Sequence, residues 1–256
     1  MSTGVAALTH SIFVRQEMAK VARIRYVGHA DKREIPIFAY GEVAYYFGIP
    51  KSTMRSWIMG RNFPKSEGDG FCKPVIQAAD PVEGLLSYYN VAEVHVLASA
   101  RYEHHVSFRS IRSAIEHLNN AYPSKRPLLS RAFYTDGKDL FIKTIAETEN
   151  LTQQGQLALK TILDLFLARI AYDKNDLPFK VFPLLKGQSP EEKVISMVSG
   201  VAASRPTIDG TGVPVTAIWQ RHKAGESEYE LADDYDIEIP KIRKAIEYVE
   251  YLKQAA

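Results

Sequence analysis

The stretch Tyr40-Gly41-Glu42-Val43-Ala44-Tyr45-Tyr46-Phe47-Gly48-Ile49-Pro50-Lys51-Ser52-Thr53-Met54-Arg55-Ser56-Trp57-Ile58 reads as two short helices around a tight turn. Val43, Ala44 and Phe47 fall on one face at helical spacing, and the small Ala44 permits close crossing of a second helix. Gly48 tolerates the left-handed backbone that ends the first helix. Pro50 fits the opening of the next while forbidding continuation of the first, and Ile49 is placed to plug the corner. In the second helix Met54, Trp57 and Ile58 lie at i, i+3 and i+4 and face inward, which leaves Lys51, Ser52, Thr53, Arg55 and Ser56 outside. Short hydroxyls beside two basic side chains suit contact with a major groove: Arg55 with base edges or phosphate, Lys51 with phosphate, the hydroxyls with either. An ordinary helical hairpin with a solvated face would show the same pattern, so the flanking sequence matters.

Downstream, Gly60-Arg61-Asn62-Phe63-Pro64-Lys65-Ser66-Glu67-Gly68-Asp69-Gly70 has the turn chemistry of a hairpin wing, followed by Val75-Ile76 as a short strand. Arg61, at the start of that wing, joins the outward residues of the second helix as a DNA-binding candidate. Asn90-Val91-Ala92-Glu93 supplies an N-cap with an acidic partner three residues on, and opens a helix to about Arg101 that buries Val91, Val94, Leu97 and Ala98. Ser107 begins another, with Ile111, Ala114, Ile115 and Leu118 inward and Arg109 and Arg112 exposed.

In the middle of the chain, Asp136-Gly137 within Arg131 to Lys143 predicts a two-residue hairpin turn. A helix is expected over about Gly155 to Ala168, then a strand pair, Ile170 to Tyr172 and Phe179 to Phe182, across Lys174-Asn175-Asp176. Nearer the carboxyl end, Arg205 to Val215 reads as a strand and turn delivering a helix from Thr216 to Lys223, stopped at Gly225. Ser227-Glu228-Tyr229-Glu230 is a capping box for the next helix, and Pro240 sits near the start of a last one that packs through Ile242, Ala245, Ile246 and Val249. The expected fold class is α+β, mainly α. Four segments are expected: 1–37, a basic extension; 38–125, a winged helix-turn-helix; 126–188, a central hairpin and helix region; and 189–256, a helical module.

Charge separates the two ends. Residues 1–65 hold 10 Lys+Arg against 4 Asp+Glu, whereas residues 189–256 hold 8 against 12, so a polyanion suits the first and is repelled by the second. Glu226, Glu228, Glu230, Asp233, Asp234, Asp236 and Glu238 crowd the helical hairpin of the tail, and a basic, nucleic-acid-handling protein would be its complementary partner. No apolar run is long enough for a membrane span, Met1 to Val14 lacks the layout of a signal peptide, and a cytoplasmic location is expected. Met18 is an internal alternative start. The single Cys72 has no sequence-near histidine to activate it and reads as a structural thiol.

Phosphate-loop, dinucleotide, zincin and hydrolase-elbow patterns are absent from the sequence, so no enzyme activity, cofactor or metal is expected. His104, His105 and His117 lack an accompanying carboxylate pattern, and the run Asp233-Asp234-Asp236 reads as a solvated helix end rather than a magnesium site. A nuclease built on those tail carboxylates is the least favoured reading.

Over residues 38–120 the order of helix-turn-helix, wing and two helices resembles the DNA-binding domain of MerR-type regulators, through Ala44, Gly48, Ser52-Thr53-Met54-Arg55 and Trp57. The Arg-Pro-x-Ile-x-Gly-Thr-x-Val-Pro-Val run from Arg205, with Ala-Gly-Glu-Ser and an acidic helix, looks like a small antitoxin domain of unassigned function over about 195–253. Joined to the Arg126-Pro127-Leu128, Thr135 to Phe141 and Gly155-Gln156-Leu157 runs, the chain resembles the longer VapB-type antitoxins that pair with PIN-domain ribonuclease toxins. Gly212 stands where that family usually has arginine, and Ser204 where it usually has glycine. The resemblance implies a non-enzymatic antitoxin that blocks a VapC-type toxin by direct binding and represses its own operon on operator DNA, usually as a homodimer. The competing reading is a MerR-like transcriptional regulator whose C-terminal domain senses a small ligand.

Overall fold

A computed structural model describes residues 31–64, 68–102, 106–185 and 188–255. The basic extension expected over 1–37 lies, for residues 1–30, outside the described residues. Residues 31–35 are firmly held: Arg33 bridges Asp31 at 2.8 Å and Asp173 at 2.7 Å, and Tyr89 donates to Asp31 Oδ2 at 2.6 Å. The Arg33 guanidinium beside Asp31 holds that carboxyl down to about 2. Two guanidinium groups lie against the Tyr89 ring, Arg33 at 5.3 Å and Arg126 at 5.2 Å from its centroid.

The fold is α+β with helices dominant. Strand β1 (Phe38–Ala39) leads into α1 (Tyr40–Tyr46) and α2 (Lys51–Met59), then the hairpin β2 (Arg61–Pro64) and β3 (Asp69–Cys72). Strand β4 (Leu85–Leu86) returns antiparallel to β1 and opens α3 (Tyr88–Tyr102) and α4 (Phe108–Ala121). Next come α5 (Lys138–Glu149) and α6 (Gln153–Leu167). An antiparallel meander then runs in the order β5 (Ile170–Tyr172), β6 (Pro178–Val181), β7 (Ile195–Val198) and β8 (Pro206–Ile208). It takes two strands from each side of the 188/189 division. Helices α7 (Val215–Lys223), α8 (Glu228–Tyr235) and α9 (Ile239–Ala255) complete the chain.

The helix starts and stops follow capping chemistry. Ser107 and Thr152 accept amide bonds at the heads of α4 and α6, and Ser227 with Glu230 forms both bonds of a capping box on α8. The apolar stripes read from the sequence are buried: Val91, Val94 and Leu97 on α3, Ile111, Ala114 and Leu118 on α4, and Ile242, Ala245, Ile246 and Val249 on α9. One large core runs from Phe38 through Trp57, Leu97, Phe133 and Leu163 to Met197, and a second gathers α7, α8 and α9 around Ile218, Leu231 and Ile242.

Three expectations fail. The hairpin at Arg131 to Lys143 is helix: a π-helical turn, Phe133–Gly137, runs straight into α5. Gly137 sits at φ −65°, not in the left-handed region, and its missing side chain admits Leu118, whose Cδ1 would lie 2.7 Å from an added Cβ. The glycine serves close packing rather than a turn. Val75-Ile76 forms no strand, because both amides donate to the Trp57 carbonyl, at 2.8 and 3.0 Å, and so are held by α2. Helix α3 begins two residues before Asn90. The Asn90 side chain is buried and reaches back to accept from the Ser87 amide at 3.0 Å, while the Asn90 main-chain amide donates to Ser87 Oγ at 3.3 Å.

Candidate nucleic-acid interface

The corner between α1 and α2 is built as its residues dictate. Gly48 takes φ +60° and donates to the Tyr45 carbonyl at 3.1 Å, Ile49 donates to Ala44 at 2.8 Å, and Pro50 stands at the N-cap of α2. Met54, Trp57 and Ile58 are buried. The opposite face carries Lys51, Ser52 and Arg55, all exposed, with Thr53 and Ser56 half-buried. The nine residues of α2 span roughly 13 Å, so this polar row is long enough to follow a groove. The Ser56 hydroxyl donates to the Ser52 carbonyl at 2.9 Å, which leaves its oxygen to act as an acceptor toward a ligand. Lys51 lies across Gly41, where an added Cβ would meet Lys51 Cε at 3.3 Å.

Arg61 is exposed and paired with Cys72 at the base of the β2–β3 hairpin, immediately beyond α2. Gly60 makes that junction possible. Its φ is +73°, and a Cβ there would lie 2.2 Å from the Cys72 carbonyl oxygen, so the hairpin is locked against the end of α2. All six predicted residues thus belong to one stretch of helix and hairpin. Of the two α4 arginines, Arg109 is exposed, but Arg112 is committed: its guanidinium lies 4.8 Å over the Phe108 ring and donates to the Lys73 carbonyl. Sequence periodicity placed Arg112 outside and could not show that partner. It also missed Phe71, 58% exposed on the hairpin opposite Asn62.

The acidic tail is less bare than its composition suggests. Arg221 engages both Glu226 and Asp234, Arg243 pairs with Glu228 at 2.7 Å and Lys241 with Glu238 at 3.1 Å. The Ser227 amide and hydroxyl bonding Glu230 hold its carboxyl below the usual range. Asp233 and Asp236 carry no ion pair among the described residues, and Tyr229 beside them is 73% exposed. His117 is exposed, and His104 and His105 lie outside the described residues.

Tail and head are in direct contact. Arg205 pairs with Glu42 at 2.8 Å, Tyr46 donates to the same carboxylate at 2.8 Å, and Leu185 and Tyr251 would each lie 3.7 Å from a Cβ on Gly48.

The fold has a solved counterpart, and the sequence has curated relatives. The crystal structure of Rv2018 from Mycobacterium tuberculosis shares the fold: its TM-score is 0.59 at 19% identity, covering 83% of this chain and 97% of that one. A family model described as a protein of unknown function, DUF433, matches residues 195–249. The M. tuberculosis protein named "Putative antitoxin VapB45" is 23% identical over 237 residues, 84% of this chain and 95% of that protein. The uncharacterized M. tuberculosis protein Rv2308 is 25% identical over 228 residues, 86% and 92% of the two chains. No described helix is long and apolar enough to cross a membrane.

Proposed function

We propose that this chain is the antitoxin of a type II toxin–antitoxin pair, a non-enzymatic cytoplasmic protein that binds a PIN-domain ribonuclease toxin and represses its own operon on operator DNA. The observation that carries the reading is the similarity to VapB45 over 84% of this chain and 95% of that protein. The row of exposed Lys51, Ser52 and Arg55 and half-buried Thr53 and Ser56, with Arg61 on the adjoining hairpin, supports a MerR-like winged helix-turn-helix reading. Two such heads in a homodimer would meet two half-sites of a palindromic operator. The surface formed by Tyr229, Asp233 and Asp236 supports docking of a basic partner.

Co-expression with a PIN-domain ribonuclease encoded next to its gene in the native host tests it. The expected result is a complex that purifies intact, lacks ribonuclease activity and retards a fragment of its own promoter. A chain that neither captures the toxin nor retards the promoter overturns the proposal.

A further inference from the structure

A cavity of about 330 Å³ lies beside the segment that follows the β2–β3 hairpin, within the range of roughly 300–1,000 Å³ found for small-molecule sites. Its walls come from the segment Pro74 to Gln77 leaving the hairpin, from α4 at Ile115 and Asn119, and from the turn that includes Lys125 and Leu128. Glu93 of α3 lines it with a side chain only 6% exposed. The Glu93 carboxylate accepts from Asn90 Nδ2 and Arg126 Nη1, each at 2.8 Å, and both bonds fall on Oε2. Oε1 has no donor among the described residues. That open oxygen belongs to a largely buried carboxylate on the wall of the cavity, where a ligand donor would complete its hydrogen bonding. Burial pushes the Glu93 carboxyl up to about 7, against the pull of Arg126 and Asn90.

The charge around the space favours a cation. Of the charged residues lining it, Glu93 and Glu116 stand against Lys125, and Lys125 already pairs with Glu34, outside the lining, at 3.1 Å. Val75, Ile76, Ile115 and Leu128 supply apolar walls. We infer that this cavity binds a small organic cation, an amine or amidine on an apolar body, whose N–H groups donate to Glu93 Oε1.

Position gives such a ligand an effect on the neighbouring interface. The segment forming one wall is tied to α2 through the Val75 and Ile76 amides on the Trp57 carbonyl, to α4 through Arg112 on the Lys73 carbonyl, and to α3 through Asn90 Nδ2 on the Gln77 carbonyl at 2.9 Å. Occupancy stiffens the base on which α2 and the hairpin rest.

The test is binding itself and does not depend on DNA or a toxin. Full-length protein is titrated with benzamidine, and with benzoate as an anion of matched shape, by calorimetry and thermal melting. Benzamidine should bind saturably and raise Tm, benzoate should do neither, and Glu93→Gln should weaken benzamidine binding about tenfold. Because Glu93→Gln also removes the charge facing Arg126 and can unfold the chain, Ile115→Trp provides a second variant. It fills the space from a half-buried wall position with Glu93 and Arg126 in place, and should abolish the heat of binding while the circular dichroism spectrum is kept. No benzamidine binding at about 10 mM, unchanged binding in Ile115→Trp, or benzoate binding as tightly as benzamidine would each overturn the inference.

Discussion

The Tyr248 hydroxyl donates to the main-chain carbonyl of Tyr46 at 2.7 Å, joining α9 to α1 across 202 residues of sequence. Tyr46 is the last residue of α1, so its carbonyl has no intrahelical donor, and both residues are buried away from water that could replace one. The tail thereby completes the end of the helix that positions the α1–α2 corner. Removing the Tyr248 hydroxyl orphans a buried acceptor, and Tyr248→Phe should lower unfolding free energy by about 1–3 kcal/mol. Urea denaturation reads this as a lower midpoint at unchanged m-value.

That contact bears on fragments as well. A chain ending near residue 189 loses β7, β8 and α7 to α9, which bares the β6 edge and leaves Leu185 and Tyr45 without the apolar cluster they join. An unpaired strand edge next to uncovered apolar surface favours self-association. Such a fragment is expected to aggregate or unfold non-cooperatively, seen by size-exclusion chromatography and thermal melting, whereas the full chain gives a single transition. The functions of head and tail are therefore separated by point substitutions, not by truncation.

Gly137 supplies a discriminating substitution. If its role were conformational freedom in an exposed helix, alanine would stabilise the protein by about 1 kcal/mol. In the observed packing an added Cβ meets Leu118 Cδ1 at 2.7 Å and the Ala132 carbonyl oxygen at 2.9 Å. Gly137→Ala should instead lower stability by about 1–3 kcal/mol, measured by denaturant unfolding.

The same residue shows what could be read from the chain and what could not. Helices with strong apolar periodicity and capping residues, α2, α4, α8 and α9, were legible because local chemistry and burial point the same way. Asp136-Gly137 was misread because the dipeptide is equally suited to a turn and to a close helix contact; only the position of Leu118, in another element, decides. The outward row Lys51 to Ser56 was legible for the same reason as α2 itself. The commitment of Arg112 to Lys73, the neutralised tail acids and the open oxygen of Glu93 were not, since each depends on a partner brought in by tertiary structure.

His95 should govern part of the acid stability. It is fully buried, with Nε2 bonded to the Phe166 carbonyl at 2.9 Å, and burial lowers its pKa from 6.5 to about 3. The unfolded chain therefore binds a proton below pH 6.5 that the folded chain refuses until about pH 3, so stability falls as pH drops through that window. Between pH 7 and pH 5 the loss amounts to about 2 kcal/mol. In His95→Phe this contribution disappears: its stability relative to wild type should rise by about that amount over the same interval, followed by urea unfolding at each pH.

DNA contact has a salt signature. Neutralising one phosphate contact lowers the slope of log K against log salt by about 0.9. Lys51→Ala should flatten the slope by about one contact, and Arg55→Ala should weaken promoter binding by about 1–3 kcal/mol with relaxed discrimination at one base pair. Both side chains are solvent-facing, so melting temperature should hold within the range of surface substitutions. Titrations indistinguishable from wild type in both variants would remove α2 from the interface.

Toxin contact is expected to centre on tail groups that lack an internal partner. Replacing Glu228 or Asp234 would free Arg243 or Arg221 as well as remove a carboxylate, so loss of binding there would be ambiguous. Asp233 and Asp236 avoid that difficulty, and Tyr229 beside them offers a largely exposed ring of the kind that anchors interfaces. In the full chain, Tyr229→Ala should weaken toxin binding by about 2 kcal/mol or more. Asp233→Lys with Asp236→Lys should oppose a basic partner and slow association more than it speeds dissociation. Surface plasmon resonance separates the two rates, and promoter retardation on the same preparations should be unchanged, because these residues lie on the tail module and not on the α2 row. Wild-type association and dissociation rates in all these variants would place the toxin elsewhere on the chain.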